Sequence, residues 1–198
     1  MMKYRGDFMD YRSYQKSRDL AWEILLHERV CALPVDVLAI CRGLGVRVVE
    51  YIDPCPEVGD GFSVFIDGVP HICIERGRPP RRARFTIAHE LGHILLGHVG
   101  KYTLVNREPS PHDDPVEQAA NAFAARLLAP ACVLWGCRVS SAAEIAALCG
   151  ISDMAARYRW ERMKVLLERG KFCQSPIERR VYYQFSDFVL NYRDRQER

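Results

Sequence analysis

One stretch decides the fold of this 198-residue chain: Arg84-Phe85-Thr86-Ile87-Ala88-His89-Glu90-Leu91-Gly92-His93-Ile94-Leu95-Leu96. It contains the pattern H-E-x-x-H, in which two histidines are separated by about one helical turn. Side chains four residues apart share a helix face, so the imidazoles of His89 and His93 can reach one metal ion. Glu90 can take a proton from a water molecule beside the metal without being a ligand. The pattern predicts a helix with the signature of a zinc hydrolase.

The same stretch has the apolar periodicity of a buried helix. Apolar residues repeat at helical spacing at Ile87, Leu91, Ile94 and Leu95. Gly92 weakens a helix interior, so its presence predicts that another element approaches closely there. The alternative interpretation is a buried helix with two hydrogen-bonded histidines, but that interpretation does not require Glu90.

A catalytic zinc site needs a third protein ligand and an open fourth position. His98 is one candidate, but it lies five residues after His93, and a continuing helix would turn it away from His89. If the helix stops at Gly97, His98 is instead an ordinary C-terminal histidine that favours the helix dipole. Glu117, on a second predicted helix, is the stronger candidate.

The ends of the helix that carries Glu117 can be read from the sequence. Asp114 suits the N-cap, Pro115 suits the first helical position, and Pro130 ends the run. The residues that share the face of Glu117 are Ala120, Asn121, Ala124 and Leu128. A carboxylate on so small and apolar a face is costly unless it is paired or bound to a metal. The alternative is that Glu117 forms a capping box with Asp114.

Two segments together resemble the ImmA/IrrE family of metallopeptidases. The first is residues 84–96 with H-E-x-x-H, and the second begins at Glu117 with the pattern E-x-x-A-N-x-F-A-A. A weaker likeness extends over roughly residues 21–170. One departure is Ala129, where family members often carry methionine, and this changes packing rather than chemistry.

The resemblance implies a site and a substrate. Zn²⁺ would be bound by His89, His93 and Glu117, and Glu90 would be the general base and then the proton donor to the leaving amine. The fold would be α+β and zincin-like, with a small antiparallel sheet, two metal-site helices and a helix-turn-helix-like C-terminal unit. The implied partner is a protein substrate, a helix-turn-helix repressor of a mobile element or stress response.

Composition and cysteine usage favour an ordinary globular protein. The hydrophobic fraction is 48%, and a formal net charge of +3 does not imply a nucleic-acid partner. The first residues are polar, and no run approaches the ~20 apolar residues that span a bilayer. None of the eight cysteines forms a C-x-x-C pair, so they predict reduced thiols. We therefore expect a cytoplasmic protein without a membrane partner.

The clearest signal outside the metal motif is a β-hairpin. Residues 61–66 and 69–74 flank Asp67 and Gly68, which form a two-residue turn. Pro70 indicates that one side of the second strand is unpaired at that point. We expect the hairpin to present an edge strand to which the substrate adds as a further strand.

Residues 140–171 follow the pattern helix, glycine-containing turn, helix. Three arginines lie on or near the second helix: Arg157, Arg159 and Arg162. Ala156, Trp160 and Met163 share a face that must be buried. We predict a helical unit packed on the peptidase, with its arginines outward and no sequence-specific nucleic-acid partner.

The predicted organisation has four parts: an N-terminal arm at 1–17, a zinc metallopeptidase domain at 18–135, the helix-turn-helix-like unit at 140–171, and a C-terminal helix and tail at 176–198. The predicted activity is zinc-dependent endopeptidase cleavage of a DNA-binding repressor. Tyr102 and His112 are candidates for stabilising the oxyanion. The alternative is a DNA-binding or protein-binding regulator whose zinc site is vestigial or is structural and closed by a fourth protein ligand.

Overall fold

The computed structural model describes residues 10–52, 59–100 and 114–197, which form nine helices and a three-stranded sheet. The helices are α1 (Tyr11–His27), α2 (Val37–Gly43), α3 (Pro80–Leu95), α4 (Pro115–Leu128), α5 (Ala131–Gly136), α6 (Ala142–Cys149), α7 (Asp153–Glu168), α8 (Pro176–Gln184) and α9 (Ser186–Gln196). The strands are β1 (Arg47–Tyr51), β2 (Gly61–Ile66) and β3 (Val69–Glu75). The fold is therefore α+β, as predicted.

The sheet is mixed, with strand order β1-β3-β2. The predicted β2–β3 hairpin is confirmed, and its turn residues Asp67 and Gly68 have φ values of 50° and 76°. Proline has no backbone N–H and so weakens the pairing of a central strand. The pairing of β1 with β3 begins at His71, one residue after Pro70, so Pro70 lies outside it.

The expectation of a wholly antiparallel sheet is wrong, because β1 runs parallel to β3. The Asp67-Gly68 turn fixes the direction of β2 against β3 only. The longer connection from β1 to β2 allows either direction for β1, and side-chain alternation within a strand does not specify the direction of its partner.

Helices α3 and α4 pack directly against each other. A Cβ atom added to Gly92 would lie 3.0 Å from the Phe123 ring, and this confirms the close approach that the glycine predicts. Phe123 is completely buried. Ile87 and Leu91 of α3 belong to the same core as Ile72 of β3, and α3 also packs against β2 and β3. The metal motif is therefore held between the sheet and α4.

The segment Pro115–Gly136, which spans α4 and α5, is the one stretch among the described residues that is long and apolar enough to cross a membrane. Its length and apolar character exceed the expectation from the sequence that no run approaches the ~20 apolar residues that span a bilayer. However, 78% of its most apolar part is buried inside the protein, as is usual for the core helices of a globular domain.

The N-terminal helix is longer than the sequence pattern predicts. We expected an arm up to residue 17, but α1 begins at Tyr11. Asp10 caps it, since its side chain accepts a hydrogen bond of 2.8 Å from the backbone N–H of Ser13. Residues 11–17 are therefore helical, and their polar composition is compatible with a helix that is partly buried, with Ser17 completely so.

The C-terminal segment forms two helices, α8 and α9, rather than the single predicted helix. The break falls at Phe185, which is completely buried. Val181, Phe185 and Val189 are all buried and recur every four residues across the break. Because the apolar period continues unchanged, the pattern could not reveal the break.

The predicted helix-turn-helix geometry is confirmed in α6 and α7, with Gly150 at a φ of 61° between them. Ala156 and Met163 are buried as predicted, and Trp160 is half-buried against the core. Arg159 was expected to face outward, but it is only 5% exposed. It lies three residues after Ala156 and four before Met163, so it shares their buried face. Arginine is rarely buried, and the prediction followed this general preference of the residue type rather than the helical spacing.

Candidate metal centre

Three side chains from α3 and α4 converge on one point. The Nε2 atoms of His89 and His93 are 2.9 Å apart, and each lies 3.2 Å from an oxygen of Glu117. The histidines are 9% and 5% exposed, respectively. Elsewhere in the described residues, no group of three His, Cys, Asp or Glu side chains comes together in this way.

The spacing of these atoms fits a tetrahedral zinc ion. Zinc binds histidine nitrogen and carboxylate oxygen at ~2.0–2.2 Å, which places neighbouring ligand atoms of a tetrahedron about 3.3 Å apart. The separations of 2.9 and 3.2 Å are close to that value. Two imidazoles and one carboxylate are also a donor set that suits zinc, and three protein ligands leave one position open.

Glu117 does not form the capping box that was its alternative. Asp114 caps α4 by accepting a 3.0 Å hydrogen bond from the Val116 N–H, whereas the oxygens of Glu117 point at the histidines. Burial alone would raise the pKa of Glu117, but hydrogen bonds and charge from His89 and His93 lower it below its ordinary value. The carboxylate is therefore ionised, which is the form that binds a metal.

A further layer of polar contacts orients the two imidazoles. The Nδ1 atom of His89 lies 3.0 Å from Oδ1 of Asn121, and Nδ1 of His93 lies 3.1 Å from Nδ1 of His98. If each Nδ1 donates its proton to that acceptor, each Nε2 keeps a lone pair directed at the common point. Asn121 follows Glu117 by one helical turn, so α4 supplies both a converging carboxylate and an orienting amide.

His98 has a role that neither sequence interpretation anticipated. It is outside the converging group, and α3 ends at Leu95, with Gly97 at a φ of 73°. The chain then turns back, so that the His98 ring centre lies 5.2 Å from that of His93. Burial lowers the pKa of His98 to about 4, and the charge of His93 acts in the same direction. His98 is therefore neutral near pH 7 and can accept a hydrogen bond from His93.

Glu90 is completely buried next to His89 in the sequence. The hydroxyl of Ser63, on β2, donates a hydrogen bond of 2.9 Å to its Oε2 atom. Ser63 could not be identified from the sequence, because the face on which a strand residue lies becomes known only with the strand register. Tyr102 and His112, the candidates for oxyanion stabilisation, lie outside the described residues.

The seven cysteines of the described residues are free thiols, five of them buried. Burial raises the pKa of both Cys41 and Cys149 to about 12, so these side chains are un-ionised and unreactive near neutral pH. This state agrees with the reduced thiols predicted from their spacing.

The model of a peptidase family, described as the IrrE N-terminal-like domain, matches residues 41–161. The matched interval is more than half of the chain and contains both α3 and α4. The chain belongs to this family. Membership confirms the resemblance seen in the two motifs, and the His89, His93 and Glu117 cluster is compatible with a metallopeptidase of this family.

A search of curated proteins gave no match for this member of the IrrE N-terminal-like family. The matched interval ends inside α7, so it continues beyond the boundary that we predict near residues 135–140. Apart from the N-terminal arm, which is helical from Tyr11, the four-part division of the chain stays a prediction.

Proposed function

We propose that the chain is a zinc-dependent endopeptidase in which His89, His93 and Glu117 bind the ion and Glu90 is the general base. The observation that carries the proposal is the convergence of two buried imidazoles and one carboxylate beside a buried glutamate. When bound, the metal supplies a Lewis acid for the scissile carbonyl and makes water more acidic.

The side chains would divide the remaining chemistry. The carboxylate of Glu90 accepts a proton from the attacking water and delivers it to the nitrogen of the leaving amine. Ser63 orients that carboxylate through its hydrogen bond to Oε2. Asn121 and His98 hold the imidazoles in the orientation that directs both Nε2 atoms inward.

The substrate would lie along β2. This strand is at one edge of the sheet formed by the described residues, and its Ser63 contacts Glu90, so it borders the site. An extended peptide can add to such an edge through main-chain hydrogen bonds. A complex with a non-cleavable peptide should show these bonds to β2, and a bound peptide without them would refute this placement.

We further propose that the substrate is a helix-turn-helix repressor of a mobile element or stress response and that cleavage takes place in the cytoplasm. Support for the substrate class comes from the family resemblance, and support for the compartment comes from the free cysteines. The experiment is co-expression with the repressor encoded beside its gene. Wild type and the control Glu168→Gln, at an exposed residue of α7, should cleave it, whereas Glu90→Gln should not.

A regulator with a structural or vestigial metal site is the second candidate. The observation that favours it is the exposure of Met154 and Tyr158, at 68% and 74%, on the helix that also presents Arg157. A structural zinc site would be closed by a fourth protein ligand. Counting the protein ligands in the zinc-loaded protein separates the two candidates, because the endopeptidase requires three.

A further inference from the structure

A cluster of three arginines and one tyrosine lies where α1, α4 and α7 meet. Its members are Tyr14 of α1, Arg126 of α4, and Arg159 and Arg162 of α7. The Nη2 atom of Arg126 donates a hydrogen bond of 2.9 Å to the Tyr14 hydroxyl. The guanidinium carbons of Arg126 and Arg162 lie 5.0 and 6.0 Å from the centre of the Tyr14 ring. We call these four residues the basic cluster.

The basic cluster is separate from the metal centre. Arg126 follows Glu117 by nine residues, which is two and a half turns, so the two side chains leave α4 on opposite faces. The cluster therefore has to be explained without the proposed peptidase chemistry.

The positive charges of the basic cluster have no carboxylate partner among the described residues. No Asp or Glu in that part of the chain forms an ion pair with Arg126, Arg159 or Arg162. Nearby acids on the same helices are engaged elsewhere: Asp19 pairs with Arg18, and Glu161 pairs with Lys164.

Polar atoms within the basic cluster also lack hydrogen-bond partners. Nε and Nη2 of Arg159 are buried without a partner, as is Nε of Arg126. Arg159 as a whole is only 5% exposed. Buried donors and unpaired buried charges are costly, and native structures rarely leave them uncompensated. The arrangement is therefore incomplete without a counter-charge.

The electrostatic field of the basic cluster is directed at the Tyr14 hydroxyl. Burial opposes ionisation of Tyr14, yet the charges of Arg126, Arg162 and Arg159 lower its pKa overall. Burial and the charge of Arg126 both lower the pKa of Arg159, to about 9. All three guanidinium groups act on the same Tyr14 hydroxyl. An anion placed near that hydroxyl would therefore be attracted by all three.

The basic cluster is open to solvent on one side. Arg159 lies at its base, Tyr14 and Arg126 are half-buried, and Arg162 is exposed. The Tyr14 hydroxyl accepts from Arg126 and keeps its own proton for donation. Tyr11, which stacks on Tyr14 with ring centres 6.4 Å apart, is exposed at the rim.

We propose that the basic cluster binds a phosphate group, as free phosphate or as a phosphate monoester. Planar guanidinium groups bind phosphate oxygens through paired, charge-assisted hydrogen bonds. A phosphate dianion offers two charges at one point, whereas a carboxylate offers one, so phosphate matches three cations better. Because the residues come from three helices, bound phosphate would hold α1 and α7 against α4, the helix that carries Glu117.

The test is isothermal titration of the full-length protein with inorganic phosphate and with AMP, in chloride buffer of matched ionic strength. We expect saturable binding that Arg162→Met weakens by about tenfold or more, the loss typical of one charge-assisted hydrogen bond. Arg157→Met is the matched control, since Arg157 is an exposed arginine of the same helix. It should leave the affinity unchanged.

A second variant keeps the proposal testable through stability. Arg159→Met removes the buried unpaired charge, so it should raise the melting temperature without phosphate and abolish the rise that phosphate produces in the wild type. If AMP binds more tightly than inorganic phosphate and Tyr11→Ala removes that difference, the ligand is a phosphate monoester. If AMP and inorganic phosphate bind with equal affinity, the ligand is free phosphate. The proposal is overturned if chloride stabilises the protein as much as phosphate, or if Arg157→Met weakens binding as much as Arg162→Met does.

Discussion

The metal centre and the basic cluster bury polar groups in opposite ways. In the metal centre, both ring nitrogens of His89 and of His93 have a polar neighbour, and the Nε2 atoms meet at one point. In the basic cluster, Nε and Nη2 of Arg159 have none. The arrangement of the metal centre suits a central cation, whereas the basic cluster brings together positive charges that lack an anion. The contacts around each site thus indicate the charge of its ligand, which is positive for the metal centre and negative for the basic cluster.

Glu90 gives the largest expected effect in the metal centre. Glu90→Gln should reduce cleavage by about 10²–10⁴-fold, because an amide cannot transfer the proton. Metal content should stay at the wild-type level, since Glu90 is not one of the three converging side chains. Cleavage assays and metal analysis on the same preparation check both statements. Retained cleavage, or loss of the metal, would contradict the assigned role.

The contacts behind the histidines should matter less than the ligands but more than ordinary surface residues. Asn121→Ala and His98→Ala each remove the acceptor for one Nδ1 atom. We expect zinc affinity to fall by about 10–100-fold in each variant. Competition with a chromophoric chelator measures this, and Asn191→Ala, at an exposed residue of α9, is the control. Unchanged affinity in both variants would show that the orienting contacts are incidental.

The packing of α4 on α3 predicts a moderate loss of stability. Gly92→Ala adds a Cβ atom 3.0 Å from the Phe123 ring, and overpacking of this kind costs about 1–3 kcal/mol, partly offset by better helix propensity. Urea unfolding measures the net change. Combining Gly92→Ala with Phe123→Leu should cost less than the sum of the two single changes. Strict additivity would mean that the contact at Gly92 is not tight.

The smallest effect is expected in the helix-turn-helix-like unit. Its turn contacts α3, where Arg84 donates a 3.2 Å hydrogen bond to the carbonyl of Cys149. We predict that the unit is used for packing rather than for reading DNA. We expect weak, salt-sensitive retention of duplex DNA that changes little in Arg157→Ala. A gel-shift assay that found nanomolar, sequence-dependent binding lost in Arg157→Ala would favour the regulator instead.

The metal centre could largely be predicted from the sequence, because its chemistry requires fixed spacings. His89 and His93 are one turn apart on one helix, and Glu117 follows from the second motif. Ser63 and His98 could not be predicted, since their contacts depend on the strand register and on the turn after α3. These are tertiary relations that no local pattern encodes.

The basic cluster was beyond prediction for a related reason. Tyr14 and Arg126 are 112 residues apart in the chain, and Arg159 was expected to face outward although its spacing from Ala156 and Met163 places it on their buried face. The direction of β1 was missed likewise, because alternation gives the faces of a strand but not its partner. Periodicity thus recovered the two metal-site helices and the hairpin but not the start of α1 or the break between α8 and α9, and long-range contacts required the structure.

The most direct test of the central claim is the zinc content of purified wild type, Glu117→Ala and Glu117→Gln, measured by mass spectrometry after dialysis against a weak chelator. Wild type should hold one zinc ion per chain. Glu117→Ala should lose it, because two imidazoles alone do not retain zinc against competition, and Glu117→Gln should retain it only weakly. Full zinc occupancy in Glu117→Ala would contradict the account and return Glu117 to a structural role at the start of α4.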